Sequence, residues 1–424
     1  MKRLKSYISL YCHEMASIMR NEYRAIFSDP GVMLVIVFAI FIYSTLYSFG
    51  YNNEVLRNVP IAVIDNDRTA SSRALTFSFD AGPNTYVAYE TPDMESAKDL
   101  FYNHKVYGVV YIPRDYERNL VGGQQVNVSV YCDASYFLMY RQVFQEIVAS
   151  ISTSGAMVGF QRLVAKGLNI PQAKATSQPI IYQSHNLFNP YLGYGTFIMP
   201  AIIIVILQQT ALIGIGMIGG TWREYNLYAR LTPPGQERLS TIPTVFGKAL
   251  TYISIYAVTA TYVLTVHYHL FGYPMNGNLF DCASMIVPYL LACIFMGIAV
   301  STLFSRRENS LCWLLWTSIP ILLLSGASLP KECFPNWLYI FGKIFPSSSA
   351  ISAYIRVQSM GASLEEVLSE IKTLWILVFV YGGLSLIGIH LVLNNDLAHR
   401  TLDRLRCQRK KVVAKLHLRK NVVK

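Results

Sequence analysis

Between Leu311 and Leu329 the chain runs for 19 residues without a charged side chain. At about 1.5 Å of rise per residue, a helix of that length nearly crosses a hydrocarbon core roughly 30 Å thick. A chain committed to lipid has few folds open to it, because every backbone polar group must be satisfied internally. Past this run the chain does not leave the membrane in the ordinary way. After Ser325-Gly326 it turns at Pro330 and passes through Pro335-Asn336-Trp337-Leu338 to Phe345-Pro346. That piece is too short to span and too apolar for a solvated loop. The expectation is an interfacial or re-entrant hairpin over 330–356, received by protein or a water-filled cavity; an amphipathic loop on the bilayer surface is the alternative.

The totals agree with a membrane solvent: 53% of residues are hydrophobic and 14% charged, against roughly 25% charged in soluble domains. Five more apolar runs, over about 31–49, 192–218, 249–271, 283–304 and 374–393, bring the predicted spans to six. Their orientation comes from Lys and Arg in the short connections: Lys2, Arg3, Lys5, Arg20 and Arg24, then Arg223, Arg230 and Arg238, then Arg306 and Arg307, then the tail, all fall on one side. Both termini are therefore expected in the cytoplasm. Of the net charge of +11, +9 lies in 398–424, where 10 Lys and Arg face only Asp403. A basic tail beside a membrane meets anionic lipid, and nucleic acid is not expected as a partner. No signal-peptide core or cleavage site precedes 30, so the first span is expected to direct insertion itself.

Two regions depart from the spanning pattern. Residues 1–30 carry Ile8, Tyr11, Met15, Ile18, Met19, Tyr23, Ile26 and Phe27 at spacings of three and four. This predicts an amphipathic interfacial helix with Glu14, Arg20 and Arg24 on its polar side. Asp29-Pro30 supplies an N-cap and first-turn proline for the first span. Residues 50–190 read as an α/β domain inserted between spans 1 and 2, with strands over about 59–64, 85–89, 106–112 and 126–131. Helices are predicted near 70–79, 93–102 and 113–121, with a long one over about 134–166. The orientation above makes this domain extracytoplasmic, together with the 330–356 hairpin.

Much chemistry is missing. G-x-x-x-x-G-K-[ST] does not occur, and Gly247-Lys248 lacks the upstream glycine spacing and the following hydroxyl residue. Any ATP use must come from a partner. Neither G-x-S-x-G nor H-E-x-x-H is found. Asp65 and Asp67 at the end of a strand read as a turn and helix cap rather than a metal or acid/base pair. No catalytic, cofactor-binding or metal-ligating residue is assigned. The seven cysteines show no C-x-x-C, and a bridge among Cys132, Cys282 and Cys333 stays open. The predicted spans hold no Asp, Glu, Lys or Arg in their interiors, which argues against an ion-coupled carrier. His267, His269 and His390 read as interface residues. Gln208-Gln209 and the Gly216-to-Gly220 spacing read as helix-packing contacts. The connection over 221–247 opens Trp222-Arg223-Glu224-Tyr225-Asn226-Leu227-Tyr228, a short amphipathic stretch suited to a partner's groove or to capping the bundle.

In order and spacing these features resemble the ABC-2 permeases, the type-2 ABC exporter family, in the branch with a large domain between the first and second spans. The resemblance covers nearly the whole chain. It rests on Ser28-Asp29-Pro30, on Val63-Ile64-Asp65-Asn66-Asp67, Val106 to Tyr116 and Val130 to Asp133, on Gly247-Lys248, and on Ser325-Gly326, Pro330, Pro335-Asn336-Trp337-Leu338, Pro346 and Arg356.

The resemblance implies a homo- or heterodimeric export permease working with two cytoplasmic ABC ATPase subunits, which would hold the ATP and magnesium. On that resemblance the chain would be a transporter subunit rather than an enzyme. Spans 1, 2 and 5 would line the route. ATPase coupling would fall to Glu14, Arg20, Arg24, Arg223, Glu224, Tyr225, Leu227 and Arg230. The outer gate would be Ser325, Gly326, Pro330, Pro335, Trp337, Pro346 and Arg356. One departure concerns register: many relatives carry E-x-G-T-x-x-Q-L-x-x-x-P in the coupling loop, where this chain has Tyr225-Asn226-Leu227 and then Pro233-Pro234-Gly235. The expected function is export of an apolar or amphipathic substrate from a bacterial inner membrane, with the outward domain able to dock a periplasmic adaptor. A membrane-anchored sensor or scaffold with a ligand-binding outward domain is the alternative.

Overall fold

The computed structural model describes residues 2–52, 54–181, 183–232, 239–326, 329 and 333–394; the side chains of 2–9, 229 and 230 are not described. The chain divides into two compact units, 1–52 with 192–424, and 53–191.

The first unit is helical. Helix α1 (Lys2–Ser28) ends one residue before Asp29, whose carboxylate accepts from the N–H groups of Gly31 and Val32 at 2.9 and 3.1 Å and so starts α2 (Pro30–Gly50) with proline in its first turn. Val32, Ile36, Ile40, Ser44 and Ser48 form the buried stripe of α2 at every fourth position, while Leu34, Phe38, Ile42 and Leu46 stay exposed.

In the second unit, β1 (Val59–Asp65), α3 (Ala70–Asp80), β2 (Thr85–Glu90), α4 (Met94–Tyr102), β3 (Gly108–Ile112), α5 (Tyr116–Val121) and β4 (Ser129–Cys132) build one sheet with its helices. The strand order is β2-β1-β3-β4, with β1 parallel to β2 and β3, and β4 antiparallel to β3. Alternate residues of β1 face opposite sides. Ile61 and Val63 join Leu75, Phe79, Val143 and Ile147 on one face, and Ala62 and Ile64 join Ala97 and Val109 on the other. Helix α6 (Phe137–Ala165) lays its first half on the sheet, and its second half pairs with α7 (Ile170–Ser177).

The first unit then resumes. Helix α8 (Tyr194–Glu224) is its axis, buried along most of its length and packed by α2 and by α11 (Leu279–Ser301) and α12 (Arg307–Leu324). Between them lie the one-turn α9 (Leu227–Arg230) and α10 (Thr241–Phe271), which packs on α1. Two short helices, α13 (Asn336–Gly342) and α14 (Pro346–Tyr354), precede α15 (Leu368–Asn394).

Among the described residues six helices are long and apolar enough to cross a membrane: α2, α6, α8, α10, α11 and α15. The number matches the expectation, but its membership differs. Helix α6 is among them, yet its buried Val143 and Ile147 pack in the sheet's core. The predicted fifth span over 311–329 is instead α12, which starts at Arg307 and stops at Leu324 because Gly326 adopts a left-handed φ of 84°. Its uncharged part, 309–324, is about 24 Å long. Helix α10 begins eight residues before the predicted 249, which brings Lys248 inside it and corrects the reading of spans free of charge. The tail over 397–424, Pro330 and the Pro233-Pro234-Gly235 turn lie outside the described residues.

Candidate functional site

The expected polar side of α1 holds for Arg20 and Arg24, which are exposed, but not for Glu14, which is buried. The buried stripe of this helix is Glu14, Ile18, Glu22 and Ile26, at every fourth position, while Tyr11 and Phe27 are exposed. Two carboxylates therefore point into the bundle. Lys248 Nζ lies 3.0 Å from both oxygens of Glu22, Tyr252 donates its hydroxyl to Glu22 Oε1 at 2.6 Å, and all three side chains are buried. The same ammonium sits 3.9 Å from the centre of the Trp222 ring and 5.7 Å from that of Tyr228, whose rings pack on each other at 4.9 Å. Eight residues earlier on α1, Glu14 Oε1 accepts from the Ser240 N–H at 2.5 Å, while its buried Oε2 has no hydrogen-bond partner. The helices approach closely here because residue 247 is glycine: a Cβ would stand 3.1 Å from the Met15 carbonyl oxygen and 3.2 Å from Ile18.

The connection after α8 differs from the predicted amphipathic helix over 222–228. Trp222, Arg223 and Glu224 finish α8, Asn226 breaks the helix with a left-handed φ of 52°, and α9 adds one turn. Arg223 Nη1 donates to the carbonyls of Thr302 and Phe304 at 2.8 and 3.2 Å, fastening α8 to the α11–α12 connection. Gly220 lets that happen, since a Cβ there would lie 2.8 Å from the backbone of Arg306 and Arg307. The Gly216-to-Gly220 spacing is thus a packing surface, as expected. Of the eight residues expected to couple to an ATPase, Arg20, Arg24, Glu224 and Tyr225 are exposed, Glu14 and Arg223 spend their polar atoms inside the unit, and Leu227 packs on the core. The Arg230 side chain lies outside the described residues.

Arg307 grips Asp29 through both guanidinium ends, Nη2 to Oδ1 at 3.0 Å and Nη1 to Oδ2, joining the starts of α12 and α2. Burial on its own pushes the Asp29 carboxyl up, but the Arg307 hydrogen bond and charge and the N–H groups of Val32 and Gly31 outweigh it and hold the group below its usual range.

The hairpin is two short helices joined by a tight turn. Ser325 is buried, Pro335 stands at the start of α13, and Trp337 is 69% exposed. Pro346 opens α14, which is buried against α8 and α11. Protein groups hold the ends of these helices: Ser347 N–H donates to Gln208 Oε1 at 2.8 Å, Ser348 Oγ to the Leu324 carbonyl at 2.9 Å, and Tyr381 to the Ile344 carbonyl at 2.7 Å. Gln208 is thus a helix cap rather than a plain packing residue. Arg356 reaches Glu370 Oε1 at 3.2 Å and the Glu366 carbonyl at 2.5 Å. Beside this region an apolar cavity of about 780 Å³ is lined by Leu212, Met296, Leu303, Trp313, Ile321 and Phe345, among others.

The remaining candidates resolve as structure. Asp65 accepts from the N–H groups of Asp67 and Arg68 and from Ser72, and Asp67 from those of Tyr116 and Glu117 and from Thr69, so both are turn and cap residues. His267 is fully buried in the bundle, bonded through Nε2 to Ser48 Oγ and the Ser44 carbonyl at 2.9 and 3.1 Å. Cys132, Cys282 and Cys333 are each free. The sequence reading missed Glu22 and Lys248. A visible signal existed in Gly247-Lys248 and in a second glutamate eight residues after Glu14.

The arrangement ties an N-terminal helix, the residues at both ends of a connecting loop and a long helix together. The model of the ABC-2 family transporter proteins matches residues 31–387. The chain is 23% identical over 372 residues to "Probable multidrug ABC transporter permease YbhR" of Escherichia coli K12, covering 88% of this chain and 96% of that one. It is 21% identical over 364 residues to "Inner membrane transport permease YhhJ" of the same organism, covering 84% and 91%. A 210-residue likeness, 23% identical, extends to "ABC transporter G family member 20" of Dictyostelium discoideum, over 49% of this chain and 28% of that one. With its family model matched across most of its length, this chain belongs to the ABC-2 family of transporter proteins.

Proposed function

We propose that the chain is the membrane-spanning permease subunit of an ATP-binding cassette exporter that moves an apolar or amphipathic substrate out of the cytoplasm or inner membrane. The observation that carries this reading is the family match over 31–387, laid on helices of spanning length. The names of the bacterial relatives, a probable multidrug permease and an inner membrane transport permease, support the same assignment and an inner-membrane location. ATP and magnesium are held by a separate cytoplasmic ATPase, and a second permease chain completes the route. Both termini lie in the cytoplasm, and 53–191 faces outward, where it can dock an adaptor. The 330–356 hairpin closes the outer end. The apolar cavity bounded by α8, α11 and α12 fits a substrate with little charge.

Within this reading the exposed Arg20, Arg24, Glu224 and Tyr225 touch the ATPase, while Glu14 and Arg223 hold the contact surface in place from inside. Charge reversal of Arg20 and Arg24 together with Glu224→Lys is expected to lower permease-stimulated ATP hydrolysis by about tenfold with the melting temperature unchanged. Full stimulation by that variant would refute the assignment of these residues.

A further inference from the structure

We infer that Lys248 is a positioning residue that locks α1 and the loop between α8 and α10 into one moving body, and that Glu22 is its counterpart. The inference rests on the permease reading only for what that body would carry. The joint itself stands on geometry.

Lys248 has three N–H bonds. Two meet the Glu22 oxygens at 3.0 Å, and its remaining charge faces the Trp222 ring at 3.9 Å. Glu22 in turn accepts from Tyr252. Four segments therefore meet at one ammonium group: α1 through Glu22, the end of α8 through Trp222, α9 through Tyr228, and α10 through Lys248 and Tyr252. The far end of the same loop is held by α1 too, because Ser240 donates its N–H to Glu14. Two glutamates, eight residues apart on the inward stripe of α1, thus fix both ends of the connection. Arg20 and Arg24 lie on the opposite face of α1, exposed. A push on that face reaches Glu22 across one helix diameter and passes to α10 through a contact that water does not enter.

An apolar core could hold these segments together as well, and buried ion pairs often add little net stability. What the ionic joint supplies is direction. A carboxylate gripped by an ammonium and a tyrosine has one hydrogen-bonded seating, set by the directions of those bonds.

The test uses the full chain in lipid nanodiscs, with its native cysteines replaced and spin labels placed at Arg20→Cys and Tyr225→Cys. The label distance distribution is measured by pulsed electron spin resonance in the parent, in Glu22→Gln/Lys248→Met, in the swapped pair Glu22→Lys/Lys248→Glu, and in Tyr252→Phe. The width is expected to grow by about twofold in the neutral pair, with the melting temperature retained, and to return toward the parent value in the swapped pair. Tyr252→Phe, which removes one hydrogen bond and neither charge, keeps the fold secure and should give a smaller broadening. An unchanged width in both the neutral pair and Tyr252→Phe overturns the inference. No partner enters these measurements, so failure of the permease reading cannot be mistaken for failure of the joint. In a second arm the labels stand at Ser17→Cys and Ile242→Cys, exposed positions outside the proposed ATPase contact, and an ATPase recovered with the chain is added with a non-hydrolysable nucleotide. A shift of the distance in the parent and not in the neutral pair assigns transmission to the joint; equal shifts in both remove that role.

Discussion

Lys248 Nζ stands 3.0 Å from each oxygen of Glu22, and the two side chains are 4% and 0% exposed. The partners are 226 residues apart in sequence. Charges taken so far out of water are tolerated only when each satisfies the other. Neither residue can therefore change alone without consequence for α1, α10 and the loop that opens with Trp222.

Lys248→Met alone strands the Glu22 carboxylate with Tyr252 as its only described hydrogen-bond donor, and a loss of about 3–5 kcal/mol is expected. The double variant Glu22→Gln/Lys248→Met strands neither charge and should cost little, far less than the sum of the single changes. Thermal and denaturant unfolding of the four chains in one detergent measures this. Simple additivity would contradict the buried pair.

Gly247 lets α1 and α10 approach closely. Gly247→Val places its Cβ against the Met15 carbonyl oxygen, a backbone atom that cannot swing aside. A cost of about 1–3 kcal/mol is expected, with α1 loosened first. Limited proteolysis should nick the variant within 2–28 under conditions that leave the parent intact.

Gln208 caps α14 from the middle of α8. Gln208→Leu keeps the volume but leaves the Ser347 N–H without its acceptor in a buried position, at a cost of about 1–3 kcal/mol. Hydrogen exchange at 347–354 should accelerate while exchange in α3 and β1 stays as it was. Uniform acceleration everywhere would mean the effect is global and the cap unimportant.

The Asp29–Arg307 grip has a defined pH dependence. The folded-state carboxyl lies below its ordinary value of 3.8, so its contribution is fully present above that value and disappears as pH falls through the lower folded one. The melting difference between the parent and Asp29→Asn should hold steady from pH 7 to about pH 4 and narrow below it. A difference that vanished between pH 7 and 5 would point to another group.

The sheet unit was nearly readable from sequence because its signals are local. Val59 to Asp65 ends in an Asp-Asn-Asp turn, Asp93 caps the helix that opens at Met94, and Gly122-Gly123 ends the helix before β4, so each element stops within a few residues of its own marker. Span-length apolar runs were readable for the same reason. The long helix over 134–166 was readable as part of the sheet unit too: α6 spans Phe137–Ala165 and sets Val143 and Ile147 in the sheet's core. Two things were not. Helix α12 stops at the left-handed Gly326, and an apolar run does not announce its backbone angles. The buried stripe of α1 includes Glu14 and Glu22, which periodicity assigns to water, because only their partners Ser240 and Lys248, far along the chain, make burial tolerable.

The central claim is that this permease works with an ATPase it does not contain. Its most direct test is purification of the tagged full chain in mild detergent, with mass identification of the soluble protein that accompanies it. The account predicts a P-loop ATPase at about one copy per permease chain, lost when Arg20, Arg24 and Glu224 are charge-reversed. Repeated recovery of the chain alone, or with a signalling protein in place of an ATPase, would contradict it.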